Sequence, residues 1–204
     1  MTEFEISIYF KDFIFGFIFN DIQKGINSGS NYLVALGLLS YTEYMGGLIK
    51  GTLGVRKGSS KRFKAALEYF EWKGDSNTYK EFKVEYVDEK DIKKPGTIYD
   101  LFRCGLAHEY FVKGDSFVHN NPGGYIDKDT GVFYCEGCIP ENVGVQIVNG
   151  QLRFHTNAFF RDFKNAWVKY YYDLIEGPRK EEMQEIFNKA MERINSRRLI
   201  IESA

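Results

Sequence analysis

The chain has no surplus of charge of either sign. Its 27 lysines and arginines face 28 aspartates and glutamates, which leaves a net charge of −1. Such a molecule is no polycation, so any nucleic-acid contact needs a local patch rather than the field of the whole protein. Long hydrophobic runs are missing too. The longest early one, Phe13 to Phe19, is bounded by Asp12 and Asn20 and falls far short of the roughly 20 residues that span a bilayer. The start, Met1-Thr-Glu-Phe-Glu5, is acidic where a secretory signal carries positive charge. These absences predict a soluble cytoplasmic protein with no membrane partner. Cysteine is scarce and odd in number, at three, which fits a reducing compartment better than a disulfide framework. No internal repeat or low-complexity linker interrupts the chain.

What is abundant is core material. Of 204 residues, 44% are hydrophobic and 17% aromatic, a composition that excludes disorder and suits one domain over residues 1–204. Ile6, Phe10, Phe13, Phe17 and Ile18 recur at helical spacing, predicting a first helix from about Glu3 to Lys24 with Gly25 and Gly29 as stops. Ser30 or Asn31 opens a second helix ending near Gly51. Gly37, Gly46 and Gly47 are tolerable in it where another helix packs close. Ser59 and Ser60 open a third, running to Trp72. A short helix is predicted over Thr78 to Tyr86. Pro95 suits the first turn of the next helix, which ends at Gly114.

From 116 to 154 the character changes to short β-branched and aromatic runs between turn residues. Gly124–Ile126 and Val132–Tyr134 flank one hairpin loop. Val143–Val148 and Gln151–Phe154 flank Asn149-Gly150, the preferred two-residue turn. Thr156 or Asn157 then caps a long helix to about Glu176, and Pro178 starts a last one with Glu181 and Glu182 in its first turn. The fold class is therefore mainly α: a helical bundle with a small antiparallel β-hairpin insertion, strands being confined to about 116–154.

The chemistry concentrates in Tyr99-Asp-Leu-Phe-Arg-Cys-Gly-Leu-Ala-His-Glu-Tyr-Phe111. Arg103 offers a permanent charge in a planar fork suited to phosphate oxygens. His108 exchanges a proton near neutrality. Five positions apart on an α-helix, they lie roughly 140° from one another and flank one face. The same pair equally fits a structural role, the arginine stem covering apolar surface and the histidine satisfying a buried contact. Glu43, in an otherwise apolar helix, is a candidate partner for a buried or half-buried base, or a solvent-facing carboxylate.

The stretch Tyr99–Glu109 resembles the motif helix of the HEPN superfamily, in which an arginine precedes a histidine by a few residues. Arg103 and His108 occupy those two positions, with four residues between. The resemblance covers the helical two thirds of the chain, with the hairpin region as an insertion. It implies an α-helical bundle that forms a homodimer, the two motifs lining a shared cleft. It also implies a metal-independent endoribonuclease of toxin–antitoxin or defence systems, with RNA as partner and no cofactor. The histidine would help the ribose 2′-OH attack the neighbouring phosphate while the arginine stabilises developing charge. Active members carry a polar residue directly after the arginine; here it is Cys104.

Arg56, Lys57, Lys61, Arg62 and Lys64 fall in one short stretch without an acid and lead into a helix N-terminus. They form a candidate phosphate-binding segment, or a solvated loop and first turn. Cys135-Glu-Gly-Cys138 is a C-x-x-C without a second copy. Zinc would need Cys104, His119, His155 or His108 to complete four ligands, and no metal is expected there. The alternative to an RNA-directed protein is a non-catalytic helical module that dimerises or binds another protein, such as an antitoxin.

Overall fold

The computed structural model describes residues 1–70, 79–87, 90–109, 116–119, 124–126, 133–135, 144–148 and 151–196. Its architecture is mainly helical with small sheets, as the periodicity predicts. The N-terminal rod is one continuous helical path in three parts: α1 (Glu3–Tyr9), a π-helical stretch π1 (Phe10–Ile18) and α2 (Phe19–Asn27). Thr2 caps it with a reciprocal capping box to Glu5, which satisfies two orphan N-terminal donors. The rod runs past Gly25 and stops at Gly29, whose φ of 76° the following loop requires.

Helix α3 (Asn31–Ile49) is the hub. It touches α2, α4 (Ser59–Leu67), α5 (Thr156–Ile175), α6 (Lys180–Asn195) and a second π-helical segment, π2 (Tyr99–Glu109). Surrounded on so many sides, it is apolar nearly all round, with Glu43 its sole charge. The α3–α4 packing is the tightest. A methyl group on Gly46 would overlap the Arg62 carbonyl, so glycine is what lets the two backbones meet.

The core is aromatic. Phe10 from the rod packs against Trp167, Tyr170 and Tyr171 of α5 and Phe187 of α6. Phe154, Phe159 and Phe70 continue it toward the sheet. Edge-on and tilted pairs of this kind add to the area they bury.

Two sequence expectations for residues 79–97 are overturned. The helix predicted up to Tyr86 is instead strand β1 (Lys83–Val87), paired antiparallel with β2 (Lys93–Thr97). Its exposure alternates, with Val84 and Tyr86 partly covered, so a period of two won over a weak helical pattern. Pro95 does not open a helix. It lies in β2 opposite Glu85, where a two-stranded ribbon tolerates its missing N–H. The helix start falls later, at Thr97 and Asp100. Their side chains exchange bonds, with Asp100 Oδ2 accepting from the Thr97 N–H at 3.1 Å and Thr97 Oγ1 accepting from the Asp100 N–H at 3.3 Å. Strands are therefore not confined to 116–154.

Within 116–155, β4 (Gly124–Ile126) pairs with β5 (Phe133–Cys135), and β6 (Val145–Val148) pairs with β7 (Gln151–His155). Both hairpins match the sequence reading, and Val148 opposite Gln151 leaves Asn149-Gly150 between them. An addition is β3 (Ser116–His119), parallel to β7, which makes a three-stranded sheet. Helix boundaries shift as well. The third helix ends at Leu67 and its N-cap is Gly58; His155 precedes α5, and α6 starts at Lys180 rather than at Pro178. Trp72 and Gly114 lie outside the described residues. No helix among the described residues is long and apolar enough to cross a membrane.

Candidate functional site

The site begins with Glu43 on α3. Its Oε1 accepts from Arg62 Nη2 at 2.8 Å, and its Oε2 faces Arg103 Nη2 at 3.3 Å. The carboxylate thus sits between two guanidinium groups brought from α4 and π2. Its side chain is only 13% exposed, so both charges meet it largely out of water. There the Coulombic attraction is strong and the loss of a partner costly.

The two arginines differ in what they have left to give. Arg62 is 8% exposed and both its terminal nitrogens are spent. Nη1 donates to the carbonyls of Val55 and Lys57, both at 3.0 Å, and Nη2 also donates to Ser59 Oγ at 2.8 Å. It ties the 55–59 loop to α3 and leaves little for a phosphate. Arg103 faces Glu43 without an aligned hydrogen bond, and its buried Nε has no hydrogen-bond partner among the described residues. Its side chain is 22% exposed, against 10% for Arg62, and lines the cleft, so of the two forks it is the one an anion can reach.

Tyr99, one wide turn before Cys104, lies outside the lining, its ring 5.5 Å from that of Phe63. Burial raises its hydroxyl above the usual range. The neighbouring Cys104 thiol raises it further, a Ser59 hydrogen bond works the other way, and Glu43 adds a smaller push upward. Cys104 is half-buried, so the residue after the arginine belongs to this inner packing.

The π-helical form of residues 99–109 changes the predicted geometry. Bonds from i to i+5 widen each turn by one residue, so positions five apart stack on nearly one side. Positions 103 and 108 therefore follow each other along one side of the backbone, where an α-helix would have set them roughly 140° apart. The side chain of His108 lies outside what the structure describes.

A cleft of about 370 Å³ opens here, lined by Ser40, Glu43, Tyr44, Leu53, Gly54, Val55, Arg56, Arg62 and Arg103. That falls at the small end of the roughly 300–1,000 Å³ usual for ligand sites. Three arginines against one glutamate make it electropositive in a protein whose net charge is −1. Arg56 is exposed at its rim.

The predicted basic segment thus divides. Arg56 and Arg62 line the cleft, Arg62 as a pinned structural group. Lys57, Lys61 and Lys64 are exposed and stay outside the lining. Sequence reading missed Ser40, Tyr44 and the Leu53–Val55 loop. A signal existed: Ser40 and Tyr44 lie three before and one after Glu43, and Gly54-Val55 directly precede Arg56.

For the C-x-x-C, Cys138 lies outside the described residues, and only the backbone of Cys135 is described, in β5. Among the described residues no group of three or more metal-ligating side chains gathers. Compared with protein-family models, with curated proteins and with solved structures, the chain matches none.

Proposed function

We propose that this protein is an RNA-directed, HEPN-like protein that binds the phosphodiester backbone in the Glu43–Arg103 cleft and cleaves it without a metal. The observation that carries the reading is Arg103. It stands in the wall of an electropositive cleft with its guanidinium partly exposed, one wide turn before position 108. Glu43 and the pinned Arg62 fix where that fork sits, so its charge is preorganised.

The reaction needs little more. His108, as base, takes the proton of the ribose 2′-OH. The 2′-oxygen bonds to phosphorus while the bond to the 5′-oxygen breaks, and the leaving oxygen takes up a proton from water. Arg103 holds the non-bridging oxygens as charge builds on them. The products are a 2′,3′-cyclic phosphate and a 5′-hydroxyl. The protein acts as a homodimer in a toxin–antitoxin or defence setting under this reading, with RNA as substrate.

The test is cleavage of diverse single-stranded RNAs by the wild type, Arg103→Ala and His108→Ala, with folding checked by circular dichroism. Loss of the histidine should cost about 10²–10⁴-fold. EDTA should have no effect, and 2′-deoxyribose at the cleaved position should protect the strand. One observation favours a second reading, a non-catalytic helical module for dimerisation or protein binding. Arg103 already has a carboxylate partner in Glu43, as a purely structural arginine would. Wild-type protein that binds and cuts no RNA would decide for that module.

A further inference from the structure

The rod exposes an aromatic pair beside the cleft. Phe13 and Phe17 lie one turn apart in π1 with rings 5.7 Å between centroids and 8° from parallel. The other ring pairs among the described residues meet edge-on or tilted. Phe17 is 55% exposed and Phe13 37%, an unusual placement for two phenylalanines. Phe13 packs its ring against Tyr44, 6.2 Å away and nearly edge-on. Tyr44 in turn lines the arginine cleft. Its position is fixed by a hydroxyl–hydroxyl hydrogen bond to Tyr9 and by the Trp167 ring 6.4 Å away. A flat apolar surface therefore continues into an electropositive cleft through one immobilised ring.

We propose that Phe13 and Phe17 form a stacking platform for an unpaired nucleobase of the same RNA strand whose phosphate lies against Arg103 and Arg56. The proposal rests on the reading of the cleft as a phosphodiester site and names the kind of RNA it takes: single-stranded, with bases free to splay. Single-stranded RNA is recognised in this way, by bases stacked on aromatic side chains and phosphates tracked by cations. The charge of the cleft selects the occupant. A second copy of this chain would bring its own Phe4, Ile8, Phe13 and Phe17 to this face and cover apolar surface alone, whereas the exposed Arg56 and the partly exposed Arg103 call for an anion next to it. A strand satisfies both halves at once.

The experiment is a titration of the full chain against a short single-stranded oligoribonucleotide carrying 2-aminopurine, read by fluorescence, with light scattering at the same concentrations. On wild type the fluorophore should be quenched by stacking. Phe17→Ala should weaken binding about tenfold and abolish the quench, since one stacked base contributes on that scale. Phe17→Trp should retain both, and the same sequence as a duplex should bind far more weakly. Binding that depends on Arg103 but is unchanged, in affinity and quench, by Phe17→Ala overturns the platform and leaves the cleft reading standing. No binding by wild type overturns the cleft reading and the platform with it. A wild-type dimer that Phe17→Ala converts to monomer assigns this face to a second copy and overturns the platform.

Discussion

The Tyr79 hydroxyl donates to Asp162 Oδ2 at 2.6 Å, joining the segment before β1 to the first turns of α5 across 83 residues. The same hydroxyl oxygen accepts from the Gly144 N–H at 2.7 Å. Asp162 is 3% exposed and also takes Arg161 Nη2 at 2.7 Å. One phenol thus holds the sheet-entry backbone, a buried carboxylate and the helix in register. Tyr79→Phe removes it and leaves two buried groups short of a partner. The expected loss is about 1–3 kcal/mol, measured as a lower midpoint in urea with an unchanged slope.

Tyr170 makes the opposite case. It is 1% exposed and its hydroxyl has no hydrogen-bond partner among the described residues. Tyr170→Phe removes an unsatisfied buried group and keeps the ring, so stability should stay level or rise, by up to about 1 kcal/mol. A loss as large as that of Tyr79→Phe in the same urea titration would refute this account.

Glu43→Gln should be strongly destabilising. It leaves Arg62 and Arg103 charged, largely buried and without their carboxylate. Removing one partner of such a pair costs about 3–5 kcal/mol, with Gln at the lower end because it retains an acceptor. Calorimetry should show a clear fall in Tm. A double variant, Glu43→Gln with Arg62→Met, should recover part of it.

Gly46→Ala probes the approach that places Arg62. The added methyl meets a backbone carbonyl of α4, which cannot rotate away as a side chain could. Overpacking of this kind costs about 1–3 kcal/mol, and the helix pair must separate. RNA binding, where the cleft supports it, should weaken along with stability. A variant with unchanged Tm would show that α3 and α4 are not in this contact.

Alkaline pH should unfold the protein. Burial is the largest cause raising the hydroxyls of Tyr79, Tyr170 and Tyr9 well above their ordinary value. A raised folded pKa favours the protonated form, so its stabilisation is complete below the unfolded value of about 10 and declines as pH climbs above it. Tyrosinate absorbance for these residues should therefore appear together with loss of helical circular dichroism. Titration of every tyrosine near pH 10 in a protein that stays folded would contradict the burial.

The sequence by itself determined the helices that are long apolar stretches between polar starts and their ends, α3 and α5 among them, and the Val145–Val148 hairpin with its Asn-Gly turn. Each of those signals is local, because periodicity and turn chemistry act within a few residues. It also singled out Glu43 and Arg103 against their apolar helices, and gave Arg62 only as one of five cations in a basic stretch. Only the tertiary structure decided that one carboxylate serves both arginines, because that depends on Gly46 letting α4 reach α3. It decided the wide turns of 10–18 and 99–109: the rod buries the row Ile6, Phe10, Ile14, Ile18 and Ile22 and leaves Phe13 and Phe17 outside, and at 99–109 position 108 comes round behind 103. It decided the β1–β2 ribbon too, where Val84 and Tyr86 take their strand form from the partner strand and the core beneath them rather than from their own propensity.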